Sequence, residues 1–116
     1  DGILSDSRVF AEMPYVPAAP DEMFRAHSGA MRPAGERGGV PDGLKVDTAG
    51  RVFCTGPRGT WVFEPDGEFI GIIETPELPA NVGFGDPDGK TLFITARTSV
   101  YKIRLHTPGL LPRAFG

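Results

Sequence analysis

The sequence predicts an all-β protein, and both its composition and the pattern of its apolar residues support this. Gly (16) and Pro (12) make up almost a quarter of the 116 residues, which is typical of many short strands joined by tight turns. From Pro41 onward, short β-branched and aromatic runs alternate with Gly, Asp and Pro turns at the spacing of antiparallel hairpins. The 3.6-residue apolar period that pairs of helices would need is absent.

The first 40 residues differ in character from the rest. Within residues 1–13 we expect one strand, Arg8–Met13, as the outer strand of a preceding sheet. Residues 14–40 are rich in Pro and Gly, which predicts an extended or loosely turned segment. At most one short helix is expected there, near Asp21–His27, where Asp21 could act as its N-cap.

Seven strands are predicted in the second part of the chain, and the joints between them have turn chemistry. Asp and Gly stand together in Asp47–Gly50, Pro65–Gly67 and Asp86–Gly89, where a tight turn needs a side-chain acceptor followed by a positive φ. Pro76 and Pro79 bracket a connection that cannot be a central strand. The predicted strands are Leu44–Val46, Arg51–Thr55, Thr60–Phe63, Phe69–Ile73, Val82–Phe84, Thr91–Thr95 and Val100–Leu105.

Two stretches of the chain repeat. Arg51–Phe63 aligns with Thr91–Ile103 at a constant offset of 40 residues. A period near 40 residues with about four strands per unit is the signature of propeller blades. The sequence therefore predicts a partial β-propeller of about two four-stranded antiparallel blades, residues 41–76 and 77–109, followed by a tail, 110–116. The matched pairs are Val52 with Leu92, Phe53 with Phe93, Thr55 with Thr95, Trp61 with Tyr101 and Phe63 with Ile103.

Two blades are too few to close a propeller, which uses about 4–8. A two-blade wedge exposes an apolar blade face on each side, and large open faces indicate a missing partner. We therefore expect the remaining blades, or a second chain, to complete the fold, with this chain as the C-terminal portion of the whole.

Charge and composition exclude several partners. The formal net charge of −3 gives no basic footprint for nucleic acid or an anionic membrane, and no apolar run approaches the roughly 20 residues of a membrane span. No signal peptide is recognisable, and the single cysteine, Cys54, cannot form an internal disulfide. We expect neither a nucleic-acid nor a membrane partner, and a cytoplasmic location is slightly favoured.

Four motifs follow one another between residues 39 and 105. They are Pro-Asp-Gly-hydrophobic-x-Val-Asp-x-x-Gly, Gly-x-Trp-Val-Phe-x-Pro-Asp-Gly, Pro-x-x-Pro-x-Asn-x-x-Phe-Gly and Leu-x-Ile-Thr-Ala. In this order they resemble the last two blades of the gluconolactonase family, which also contains senescence marker protein and the luciferin-regenerating enzyme. The resemblance implies a six-bladed propeller with one divalent cation in its central channel, Ca²⁺ before Zn²⁺, Mg²⁺ or Mn²⁺.

The resemblance also implies a site residue. The Asp of the family's Pro-Asp-Gly motif, here Asp42, is a metal ligand and the proposed proton donor and acceptor in hydrolysis of a sugar lactone. The family's other ligands, a glutamate and asparagines of earlier blades, have no counterpart in this sequence. For Asn81 we expect a turn or strand-entry hydrogen bond rather than a ligand role. The pattern alone also allows a turn role for Asp42, although this residue follows a long loop and precedes the first strand of a blade.

An aspartate at that place suits the chemistry of lactone opening. A cation that polarises the carbonyl oxygen and a base that takes a proton from water both lower the barrier, and a nearby cation keeps a carboxylate ionised. The alternative function is a non-catalytic propeller fragment that serves as a binding or assembly module. A WD-type interaction propeller is disfavoured because Gly-His and Trp-Asp signatures are absent.

The other candidate residues have simpler interpretations. Residues 14–38 are longer than the family pattern predicts and form either a lid over the channel mouth or a surface insertion. Structural or solvent-exposed roles are expected for His27 and His106 (solvated), Cys54 (buried and inert), Trp61 and Tyr101 (blade packing), Arg58 and Arg97 (turn caps), Asp47, Asp66 and Asp88 (turn formers) and Ser99 (no neighbouring base).

Overall fold

A computed structural model describes residues 5–13, 23–25, 31–33 and 39–111 of the chain. Residues 39–111 form two antiparallel sheets, called here the first and the second sheet, and a short two-stranded hairpin precedes them. The first sheet has four strands in the order β3-β4-β5-β6. Each strand pairs with the next through a hairpin, because Asp, Gly and Pro punctuate the β-branched runs. The strands are β3 (Leu44–Val46), β4 (Val52–Gly56), β5 (Gly59–Phe63) and β6 (Phe69–Glu74).

The second sheet has three strands in the order β7-β8-β9. They are β7 (Pro79–Gly85), β8 (Thr91–Ala96) and β9 (Val100–Arg104). The all-β prediction and the blade repeat are confirmed, but the second blade has no fourth strand in the described part of the chain. β7 begins at Pro79 itself, which the first position of a strand tolerates because the missing N–H is not needed there.

The predicted turns form as their residues require. Gly50, Gly67 and Gly89 adopt positive φ values of 86°, 97° and 70°, a region that costs glycine little. The Asp66 carboxylate accepts the Glu68 amide at 2.9 Å, and the Asp88 carboxylate accepts the Lys90 amide at 3.0 Å. These side chains stabilise their own turns, as the sequence predicts.

Asp47 does more than close a turn. This carboxylate is 1% exposed and accepts the Ala49 and Arg51 amides at 2.9 Å and the Arg51 guanidinium at 2.8 Å. Its backbone also bridges to Gly109, and Thr48 N donates to Pro108 O at 2.9 Å. The turn of the first sheet is therefore tied to the segment that follows β9.

The apolar core lies between the two sheets. Strand pairing places Phe53 opposite Val62 on the face of the first sheet that meets the second. Phe53 packs edge-on against Phe84 of β7, with ring centroids 5.4 Å apart, a geometry that aromatic quadrupoles favour. The buried apolar cluster consists of Phe53, Val82, Leu92 and Ile94, with partly buried Val62, Ile73, Phe84, Tyr101 and Leu105 around it.

The opposite face of the first sheet carries aromatic side chains, and residues 5–13 run along it. Phe10 contacts Phe63 edge-on at 6.1 Å, and the Met13 sulfur lies against Gly56. The strand expected at Arg8–Met13 is not formed, because this segment packs on a face of the first sheet through Phe10 and Met13 and does not pair with one of its edges.

The region between residues 14 and 38 is described only at two short strands. β1 (Met23–Arg25) pairs with β2 (Met31–Pro33) as an antiparallel hairpin. The helix considered at Asp21–His27 is therefore wrong, since Met23–Arg25 satisfies its backbone across a hairpin instead. The remaining residues of this segment, with His27 and the proposed lid, lie outside the described residues, as does most of the tail 110–116. No helix of the described residues is long and apolar enough to span a membrane.

The interface between the sheets should carry most of the stability. Phe53, 5% exposed, is expected to cost about 3–5 kcal/mol when replaced by Ala, because the substitution leaves a cavity in the core. Phe69→Ala, at a ring that is 50% exposed on the outer face, should cost about 1 kcal/mol. Urea unfolding of both variants measures the difference. Equal losses would mean that the core is not where the sheets meet.

Candidate functional site

Asp42 lies just before β3, where the first strands of the two sheets meet. Gly43 N donates to Ala80 O across this junction at 3.1 Å. A Cβ atom at Gly43 would fall 2.1 Å from Asn81 Oδ1, far inside van der Waals contact. The glycine of the Pro-Asp-Gly motif is therefore required by the approach of β7.

Thr55 of β4 holds the same junction from within the first sheet. Asp42 N donates to Thr55 O at 3.2 Å, and Thr55 N donates to Gly43 O at 2.9 Å. The Thr55 hydroxyl, 0% exposed, accepts from Gly43 N at 2.9 Å and lies 3.3 Å from Ala80 O, to which it can donate. Side-chain and backbone hydrogen bonds thus converge on the residue directly after Asp42.

The Asp42 side chain is exposed and makes no hydrogen bond or ion pair with another described residue. Asp47, Asp66 and Asp88 behave differently, since each accepts backbone amides of its own turn. A turn role for Asp42 is therefore not seen in the described part of the chain. Its carboxylate oxygens remain available to a ligand or a solvent molecule.

Cys54 is the neighbour of Asp42 within the first sheet. Its thiol is buried, as expected. Burial raises the pKa of the Cys54 thiol; a hydrogen bond from the Asp42 backbone opposes this, and the Asp42 carboxylate adds a smaller upward contribution because two negative charges repel. The raised pKa favours the protonated thiol over the more nucleophilic thiolate.

The end of the sheets that carries Asp42 also carries three connections. They are the β4–β5 turn, the β6–β7 connection and the β8–β9 turn, because antiparallel strands alternate in direction. In the first of these turns, Arg58 has a φ of 75° and forms an ion pair with Glu74, so it stabilises a turn as predicted. The Trp61 indole N–H donates to Pro57 O at 2.6 Å while its ring packs against Phe69.

Glu77 is a buried acid at this end that the sequence analysis did not single out. Its carboxylate accepts from the Thr98 hydroxyl at 2.5 Å and from the Tyr101 hydroxyl at 3.0 Å, which joins the β6–β7 connection to β9. The position of this glutamate between Pro76 and Pro79 is a signal in the sequence that could have indicated a structural role. When such a connection is buried, its polar side chains need hydrogen-bond partners. Tyr101 packs in the core with its hydroxyl paired, as predicted for blade packing.

The described residues around Asp42 offer too few ligands to hold a divalent cation by themselves. In residues 5–13 and 39–111 no group of three or more His, Cys, Asp or Glu side chains is placed to hold a metal ion. Ca²⁺ takes six to eight oxygen ligands. Asp42 fits as one such ligand, but the rest of the set is not supplied by the described residues. Asn81 Oδ1 accepts the Val82 amide at 2.8 Å, so the strand-entry hydrogen bond predicted for this residue is confirmed.

A separate cavity of about 370 Å³ opens away from Asp42. It lies between β6 and the segment after β9, on the side where the second sheet has three strands instead of four. Its lining is mainly apolar and includes Phe53, Val62, Ile73 and Leu105, with exposed His106 at its edge. Asp42, Cys54 and Asn81 do not line it, so this cavity is unconnected to the candidate site.

Similar proteins support the assignment that the motifs suggest. The chain is 42% identical over 73 residues to the gluconolactonase of Zymomonas mobilis, covering 61% of this chain and 20% of that protein. It is 36% identical over 63 residues to pentonolactonase XacC of Haloferax volcanii, covering 52% of this chain and 22% of that protein. The chain thus spans about a fifth of the length of these curated relatives.

Solved structures give the same result. The gluconolactonase XC5397 of Xanthomonas campestris superposes with a TM-score of 0.63 at 29% identity, over 95% of this chain and 28% of that one. An X-ray structure assigned as a gluconolactonase superposes with a TM-score of 0.61 at 31% identity, over 78% of this chain and 32% of that one. These matches confirm the propeller-type fold. A family profile described as "SMP-30/Gluconolactonase/LRE-like region" matches residues 1–98, well over half of the sequence, and the chain therefore belongs to the SMP-30/gluconolactonase/LRE-like family.

Proposed function

We propose that this chain forms part of a divalent-metal-dependent lactone hydrolase in which Asp42 is both a metal ligand and the proton donor and acceptor. The observation that carries the proposal is that the exposed Asp42 carboxylate has no hydrogen-bond or ion-pair partner among the described residues, while the backbone of Asp42 and Gly43 is hydrogen-bonded at the junction of β3 and β7. Membership of a family with named lactonases supports a sugar lactone as the substrate.

In the proposed hydrolysis, the cation, the Asp42 carboxylate and the residues around Asp42 have separate roles. A bound cation, Ca²⁺ before Zn²⁺, Mg²⁺ or Mn²⁺, supplies Lewis acidity toward the lactone carbonyl oxygen. Asp42 accepts a proton from the attacking water at a carboxylate oxygen and returns it to the ring oxygen that leaves as an alcohol. Gly43 and Thr55 keep the backbone of Asp42 in place during both transfers.

The active form is proposed to contain further blades, from the same polypeptide or a second chain. The outer face of the first sheet carries Cys54 and Trp61, and the repeat matches them to Ile94 and Tyr101, which pack between the sheets. The outer face of the first sheet is therefore built like a blade face that receives another blade. The short span of this chain relative to its relatives agrees with this.

A second function, a binding or assembly module without catalysis, is supported by one observation. Among the described residues, no group of three or more His, Cys, Asp or Glu side chains is placed to hold a metal ion. A two-blade unit that packs through its open faces would then act by association alone. The two functions differ in their dependence on Asp42 and on a cation.

Hydrolysis should depend on Asp42. In the protein expressed from its own gene, Asp42→Asn is expected to reduce kcat for an aldonolactone by about 10²–10⁴-fold, because the amide cannot take the proton. Asp66→Asn, at an exposed turn aspartate at the other end of the sheet, serves as the matched control and should retain activity. Titration of the released acid gives the rates. Full activity of Asp42→Asn would exclude the proposed mechanism.

Calcium should stabilise the folded protein through Asp42. With Ca²⁺ at 100 times its Kd, the expected gain is about 2.7 kcal/mol, because the ion binds the native state and not the unfolded chain. Differential scanning calorimetry with Ca²⁺ and with a chelator measures the shift in Tm. The Asp42→Asn variant should lose most of the shift, while Asp66→Asn should keep it. A shift of the same size in both variants would place the ion elsewhere.

The closeness of Asp42 to Cys54 predicts a change in thiol reactivity. Because the carboxylate raises the pKa of the Cys54 thiol, Asp42→Asn should move the pH–rate profile of Cys54 alkylation to lower pH. The folded protein should react more slowly than the urea-unfolded chain at pH 8, since burial keeps the thiol protonated. Mass spectrometry of iodoacetamide adducts follows the reaction. An unchanged profile in Asp42→Asn would show that the two groups are not neighbours.

A further inference from the structure

We infer that Thr55 is a positioning residue for Asp42, acting through a hydroxyl that fixes the backbone of the Pro-Asp-Gly turn to both first strands. This inference rests on the proposed function of Asp42. It adds a residue from β4 whose side chain does not touch the reacting atoms.

The hydroxyl of Thr55 sits between three backbone groups. Its lone pair accepts from Gly43 N at 2.9 Å, and its hydrogen points toward Ala80 O at 3.3 Å or Gly43 O at 3.4 Å. Gly43 N also donates to Ala80 O at 3.1 Å. Thr55 therefore links the residue after Asp42 to the neighbouring strand β7 as well as to its own sheet.

Both sides of Asp42 are held by the same residue. The Asp42 amide donates to Thr55 O at 3.2 Å, while Gly43 O accepts from Thr55 N at 2.9 Å. The hydroxyl adds a contact that an apolar side chain of the same shape could not make. Because Thr55 is fully buried, water cannot replace that contact, and its loss would leave backbone groups less well satisfied.

The second sheet repeats only part of this arrangement. Thr95 is the repeat partner of Thr55, and its hydroxyl contact with Asn81 O at 3.3 Å matches the contact of Thr55 with Gly43 O at 3.4 Å. Thr95 is exposed, however, and its hydroxyl makes no hydrogen bond to another sheet of the described residues. By strand register, Asn81 is the counterpart of Gly43, and the ladder has a bulge just before it, between Pro79 and Asn81. Neither Pro79 nor Ala80 at this bulge carries a carboxylate. The buried threonine thus stands in the blade that carries the carboxylate.

Thr60 provides a control from the same environment. It pairs with Thr55 across β4 and β5 and is equally buried, but its hydroxyl has no hydrogen-bond partner among the described residues. Removing that hydroxyl leaves nothing unpaired, so Thr60→Val should be neutral or stabilising. Thr55→Val makes the same change in side-chain volume on the same face of the sheet, but it removes a hydroxyl that is hydrogen-bonded.

The test compares Thr55→Val, Thr55→Ser and Thr60→Val in the protein expressed from its own gene. Displacement of a catalytic group by about 1 Å can cost about 10²-fold in rate. We expect Thr55→Val to reduce kcat by about 10–100-fold with little change in KM, and Thr55→Ser and Thr60→Val to stay within about threefold of wild type. Hydrogen exchange by NMR should show faster exchange of the Gly43 amide in Thr55→Val alone.

The outcomes separate this inference from the proposed function. Wild-type protein without lactonase activity would overturn the proposed function. The exchange rates of the Gly43 amide would still test whether the Thr55 hydroxyl fixes the backbone after Asp42. Thr55→Val with wild-type kcat and protected Gly43 would overturn the positioning role, as would equal losses of kcat in Thr55→Ser and Thr55→Val. If Thr55→Val does not fold, Thr55→Ser decides, because a retained hydroxyl must keep both kcat and Gly43 protection.

Discussion

The contact between the first strands of the two sheets determines most of the other features of this molecule. Gly43 and Ala80 share a backbone hydrogen bond there, and the closeness of Asn81 leaves no room for a side chain at position 43. Because the sheets meet at this edge, their apolar faces are brought together and Phe53 reaches Phe84. The Asp42 carboxylate lies exposed at the same edge and has no partner in the described residues. The contact at Gly43 therefore determines both the packing of the two sheets and the position of the candidate site.

The contact also explains why a two-blade unit remains open at its sides. Repeat positions alternate between the two faces of each sheet, so one face of the first sheet and one face of the second stay unpaired when only two blades pack. Residues 5–13 cover part of the first of these faces through Phe10 and Met13. At the far end, Asp47 ties the β3–β4 turn to Gly109, so the wedge is fixed at both ends while its cavity beside β6 stays open.

Sequence patterns predicted the strands well where local chemistry decides them. Asp-Gly turns set the ends of β4, β5, β6 and β8 to within a residue, because the positive φ of glycine and the Asp acceptor act locally. The patterns were wrong at Met23–Arg25, where pairing with Met31–Pro33 outweighs a local capping signal. They also missed the partners of Thr55 and Glu77 and the backbone bridge from Asp47 to Gly109, because these partners come from segments distant in the chain.

The sequence predicted the candidate site residue, Asp42, but it did not predict the residues that hold Asp42 in place. Asp42 was identified from its place before a strand and from the family motif. The hydrogen bonds of the Thr55 hydroxyl to Gly43 and Ala80 depend on how the two sheets meet, which the sequence pattern does not show.

The most direct test of the metal-ligand role of Asp42 is anomalous diffraction from crystals of the protein soaked with Ca²⁺ or Mn²⁺. If Asp42 is a metal ligand, a cation peak is expected in contact with one of its carboxylate oxygens, at about 2.3–2.6 Å for Ca²⁺. A peak bound elsewhere, with the Asp42 carboxylate turned onto its own backbone, would contradict this role.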